Sequence, residues 1–126
     1  MKALKIKLRP FEIRSLCALT RMYISAYELQ GNDIAYVNAQ VLKNFLSKLE
    51  PKLPYMQEEK TIGIGMHYMS LFAAAHGRFA DKLPALEATL SRQIVEAVHK
   101  AVEADIKAQE MYTDWCIEMQ SNNKLI

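Results

Sequence analysis

Apolar and basic residues alternate at the start of the chain: Leu4, Ile6 and Leu8 stand between Lys5, Lys7 and Arg9. A two-residue period is that of a half-buried strand, predicted over residues 3–9. Such a strand needs a partner, either another chain or a second extended segment. The internal candidate is Thr61–Met66, where Ile62, Ile64 and Met66 alternate with Gly63 and Gly65. Glycine weakens a strand, so the same stretch also reads as part of a helix.

From Pro10 onward the period changes to steps of three and four. Pro10 suits a first helical position, where its missing N–H costs nothing. Ile13, Leu16, Cys17, Thr20, Tyr23, Ile24 and Tyr27 then share one face, and Gly31 supplies a stop, predicting a helix over about 10–30. Asn32 or Asp33 can cap a second helix, about 33–50, whose inward face is Ile34, Val37, Val41, Leu42, Phe45, Leu46 and Leu49. A third segment, about 54–77, carries a seam of Ile62, Met66, Met69, Ala73 and His76, with Gly77 as its terminator.

The last segment, about 84–120, has two apolar stripes. One is Leu86, Leu90, Ile94, Ala97, Ala101, Ala104, Ala108, Met111 and Trp115, and the other is Val95, Val98, Val102 and Ile106. Two stripes imply packing on two sides. At ~1.5 Å per residue this helix spans about 55 Å and outruns the other three. It therefore either overhangs the bundle or breaks near Asp105. The architecture expected is all-α: a four-helix bundle or irregular helical array with a short N-terminal strand, in one domain over 1–126.

Composition supports this reading without sharpening it. The 126 residues are 51% hydrophobic and 24% charged, with four Gly and four Pro, an ordinary globular balance. Net charge is +2, but it is unevenly spread. Six basic residues and one acid lie between Met1 and Arg21, while the remainder carries ten basic and thirteen acidic residues. Basic charge at one end can meet phosphate or an acidic partner, although solvated charge needs none. Cys17 and Cys116 fall on apolar stripes far apart, without metal-ligand spacing, and read as buried thiols of a reducing compartment. Arg9, Pro10, Glu12 and Arg14 interrupt any leader-like apolar run, and no stretch reaches the length of a membrane span. The expected location is cytoplasmic, with no membrane partner.

Residues able to do chemistry occur only as fragments of recognisable sites. Glu96 and His99 form one Glu-x-x-His pair, with Glu103 a further turn along, whereas a carboxylate-bridged di-metal bundle needs two such pairs and two more carboxylates. Glu96, His99 and Glu103 are therefore the metal-ligand candidates, an incomplete set, and no cofactor is expected. His67 and His76 lie on opposite sides of a common helix, so they cannot join His99 at a zinc ion. The Gly63–Ile64–Gly65 pair lacks the third glycine and the βαβ context of a dinucleotide site. No nucleophile elbow is present, and no catalytic residue can be named. A nucleic-acid reading rests on Lys5, Lys7, Arg9, Arg14 and Arg21, with helices 1 and 2 as a helix-turn-helix around Gly31–Asn32; near-neutral overall charge speaks against it. Tyrosines and methionines at helical spacing can line a small-ligand pocket, but that pattern is more often core.

What remains is a small helical interaction or assembly protein without catalysis of its own, expected to self-associate as a homodimer. Two features motivate it: the strand in need of a partner and the long last helix. The expected contact residues are Ala97, Ala101, Ala104, Ala108, Met111 and Trp115. A protein partner other than a second copy fits the same surface. Nucleic acid and a metal or small ligand are the alternatives.

Overall fold

A computed structural model describes residues 3–55 and 58–124 of the protein. It is a helical array with a small sheet on one side: β1 (Ala3–Leu8), α1 (Pro10–Gln30), α2 (Asp33–Leu49), β2 (Lys60–Gly65), α3 (Met66–Phe79) and α4 (Ala85–Lys124). Short 3₁₀ turns at Glu50–Tyr55 and Ala80–Lys82 follow α2 and α3.

The N-terminal strand finds its partner within the chain. β1 and β2 pair antiparallel, with Leu4 opposite Ile64 and Ile6 opposite Ile62. Directly opposed residues share a face. Leu4, Leu8 and Ile64 are thereby buried against the helices, while Lys5 and Lys7 point to solvent. The third predicted helix is thus corrected. Residues 60–65 are strand, and the helix begins only at Met66. The Ile62–His76 seam does not exist as a helical face, and α3 instead buries Tyr68, Met69, Leu71, Phe72, Ala75 and Phe79. Cross-strand pairing with β1 outweighs the cost of two glycines in β2. Nor does Gly77 end α3, which continues to Phe79.

α1 forms where the periodicity places it. Pro10 opens the helix, Glu12 accepts a hydrogen bond from the Arg9 backbone N–H, and Gly31 closes it in the left-handed region at φ 70°. After that tight link, Asn32 caps α2 by accepting the Ala35 N–H at 2.8 Å. The two helices run antiparallel along their lengths, as two ion pairs show: Glu28 with Lys43 at 2.9 Å and Arg21 with Glu50 at 2.7 Å.

The buried face of α2 differs from the predicted one at its start. Ala35 and Ala39 face inward ahead of Leu42, Phe45 and Leu49, whereas Ile34 and Val37 are exposed. Small residues let α1 and α2 approach closely. Where two faces compete, packing distance outweighs hydrophobicity.

One hydrophobic cluster joins all elements. Aromatic rings form its centre, with Tyr27 edge-on to Phe79 at 5.1 Å and Phe45 edge-on to Phe72 at 5.4 Å between ring centroids. Such pairs add ~0.5–1.5 kcal/mol each beyond area burial.

α4 is continuous through Asp105 for 40 residues, about 60 Å at ~1.5 Å per residue. Only its first part is core: Leu90, Ser91, Ile94 and Val98 are buried, and Ala97 and Ala101 pack at the edge of the cluster. Beyond Ala101, no described side chain of α4 is buried. No helix among the described residues is long and apolar enough to cross a membrane.

Candidate functional site: the overhanging end of α4

The overhang keeps the apolar character of a core helix while projecting into solvent. Val102, Ile106, Met111, Tyr112, Trp115, Ile117 and Met119 are between 39% and 69% exposed. Tyr112 and Trp115 stack on one another at 6.1 Å. Their positions follow from the sequence: a step of three or four residues holds side chains on one arc of a helix. Ala104, Ala108, Met111 and Trp115 continue the arc that begins with Ala97 and Ala101. Glu103 and Glu110 lie off that arc, whereas Glu118, seven residues after Met111, stands in line with it and ends its apolar run. Of the six expected contact residues, Ala97 and Ala101 are partly covered by the bundle, while Ala104, Ala108, Met111 and Trp115 are exposed. Cys116 lies half-buried on the overhang rather than in the core, and Cys17 is buried; both are free thiols. Desolvation pushes the Cys17 thiol above its usual range, against a smaller lowering by Arg21.

The other candidates are dispersed. Glu96, His99 and Glu103 are all exposed on α4. Among the described residues no three His, Cys, Asp or Glu side chains come together to hold a metal ion. Lys5 and Lys7 share the solvent face of β1, and Arg9 and Arg14 are exposed nearby. Lys7 lies 3.8 Å from Glu59, and Arg21 is taken up by Glu50. The alternative of a helix-turn-helix does not hold for α1 and α2. They form an antiparallel αα-hairpin held by ion pairs along its length, not two helices crossing at the ~90–120° that would present the second to a groove.

One polar constellation was not anticipated. Ser91 in α4 is 2% exposed, and its hydroxyl hydrogen-bonds with the Tyr23 phenol of α1 and, at 2.9 Å, with Nδ1 of His76 in α3. Three helices thus meet at one hydroxyl. The Tyr23 side chain is fully buried, which pushes its phenol pKa up despite the opposing effect of the Ser91 bond. A serine beside a histidine is the start of a nucleophilic dyad. Here the hydroxyl is enclosed and already bonded on two sides, so its chemistry is structural: it satisfies a phenol that the core would otherwise strand. The signal in the sequence was slight. Ser91 is a polar residue inside the stripe Leu90, Ile94 and Val98, and nothing linked it to Tyr23 or His76.

Beside Tyr23 an apolar cleft of about 380 Å³ opens to solvent between α1 and the turn after α3, lined by Met22, Ala26, Leu29, Phe79 and Leu83. Lys82 and Gln30 are the polar groups on its rim. It offers a small ligand no convergent set of polar contacts. No protein family, curated protein or solved structure matches this chain.

Proposed function

We propose that this protein is a helical assembly module without catalysis of its own, which self-associates through the overhanging end of α4. The observation that carries the reading is the apolar arc beyond Ala101. Tyr112 and Trp115, at 67% and 55% exposure, alone hold on the order of 250 Å² in water. With the part-exposed Met111 and Met119 beside them the stripe falls in the ~300–600 Å² range of the largest patches on monomers, which are often functional, and supplies roughly half of the ~800 Å² that each partner brings to a standard interface. An isolated helix end also gains little from its own hydrogen bonds, so tertiary or quaternary packing must supply its stability. The sheet no longer argues for a partner in the same way, because β2 occupies one edge of β1.

The test is oligomeric state by native mass spectrometry and sedimentation velocity, with Ala104→Glu as the probe. Ala104 is exposed, so the charge leaves the bundle intact. The expected result is a dimer for the parent and a folded monomer for the variant. A parent chain that stays monomeric at high concentration would overturn the reading.

A further inference from the structure

The residues of the overhang are graded in size, and that grading carries a direction. Along the arc, Ala104 and Ala108 come first and Met111 and Trp115 last, all exposed. The spacing is that of a two-helix seam, in which inward positions recur every three and four residues. Two copies running parallel would set Trp115 against Trp115 and alanine against alanine, leaving a clash at one end and a void at the other. Two copies running antiparallel set large against small, which fills the seam layer by layer.

Charge then selects among the antiparallel registers. When Trp115 of one copy meets Ala104 of the second, Met111 meets Ala108. The flanking positions in that register bring Lys107 beside Asp114 of the second copy, and two-fold symmetry makes this contact twice. Tyr112 then flanks Asp105 of the second copy. A register one heptad toward the bundle sets Trp115 against Ala97, which is packed at the edge of the core, and brings Lys107 to Lys107 and Asp105 to Asp105. A register one heptad outward sets Trp115 against Met111 and Asp114 against Asp114. Lys107 is the one basic residue in 101–119, against five acids, so a single register can place it usefully. Glu103 and Glu110 stay on the solvent arc in all of them, whereas Glu118 follows Trp115 along the seam and, in the register that pairs Trp115 with Ala104, meets Ala101 at each end of the contact, next to the bundle.

We infer that the overhanging ends of α4 pair as an antiparallel two-fold helix dimer in which Trp115 meets Ala104, Met111 meets Ala108 and Lys107 meets Asp114. This rests on the self-association proposed above and adds its direction and register. It has a further geometric consequence. Cys116 lies opposite position 103 of the second copy, so the two Cys116 residues stand thirteen positions apart, about 20 Å at ~1.5 Å per residue. That is beyond disulfide reach.

The experiment is a charge exchange on the full chain, read by sedimentation and native mass spectrometry with circular dichroism to verify folding. Lys107→Asp and Asp114→Lys each turn two attractive contacts into two repulsive ones, and each is expected to weaken its own dimer about tenfold. Mixed together, the two variants restore both contacts and are expected to form the heterodimer in preference to either homodimer. The parent dimer should also resist cross-linking through Cys116 under mild oxidant. Loss of the heterodimer preference while the parent still dimerises would overturn the register and leave self-association standing. A Cys116–Cys116 disulfide within the dimer would overturn the antiparallel direction. A monomeric parent would remove both this inference and the reading on which it rests.

Discussion

Removing the Ser91 hydroxyl tests whether the core depends on one polar atom. Ser91 bonds with Tyr23 and His76 and is almost inaccessible to water. In Ser91→Ala the Tyr23 phenol, itself fully buried, loses its partner. An unsatisfied buried hydroxyl costs ~1–3 kcal/mol, whereas the half-buried His76 can turn to water. Tyr23→Phe removes the phenol oxygen instead and leaves Ser91 bonded with His76, so it costs about 0.5–1.5 kcal/mol, the net value of one hydrogen bond. The expected order is Ser91→Ala at about 2 kcal/mol, above Tyr23→Phe at about 1. The double variant, with no stranded group, should cost less than the sum of the two, giving a coupling of ~1 kcal/mol. Urea denaturation followed by circular dichroism at one fixed protein concentration measures all four corners, since self-association makes apparent stability depend on concentration. Equal costs for the two single variants, or strict additivity in the double, would refute the argument that Ser91 is present to satisfy Tyr23.

Two further outcomes follow from burial. Desolvation raises the pKa of Tyr23 and of Tyr27, so the fold holds both phenols neutral where the unfolded chain ionises them. Stability should be fully present below roughly pH 10, the ordinary phenol range, and fall as pH rises through it; a urea midpoint unchanged between pH 9 and 11 would contradict this. The thiols should separate kinetically. Cys116 on the overhang should react promptly with a thiol reagent, while Cys17, 1% exposed and raised in pKa by burial, should react only after global opening, and equal rates would contradict its place in the core.

How far the sequence reached depends on whether the decisive physics is local. Helix α1 was legible in full, because Pro10, one continuous apolar face and Gly31 all concern neighbours along the chain. So was the strand character of β1, through its two-residue alternation, and the excess length of α4. The candidate interface was legible as a pattern, since Ala104, Ala108, Met111 and Trp115 repeat at helical spacing wherever the helix goes.

Tertiary structure decided what a one-dimensional pattern leaves degenerate. The segment at Lys60–Gly65 fits either a strand or a weak helix, and the presence of β1 alongside settled it as strand. The start of α2 offered two faces, and close approach to α1 chose Ala35 and Ala39 over Ile34 and Val37. Where α4 leaves the bundle cannot be seen in α4, whose apolar arc runs on past Ala101 as far as Trp115; it depends on where α3 and the sheet end. The Tyr23–Ser91–His76 contact joins residues from three helices, and no local preference encodes a meeting that only the packed core brings about.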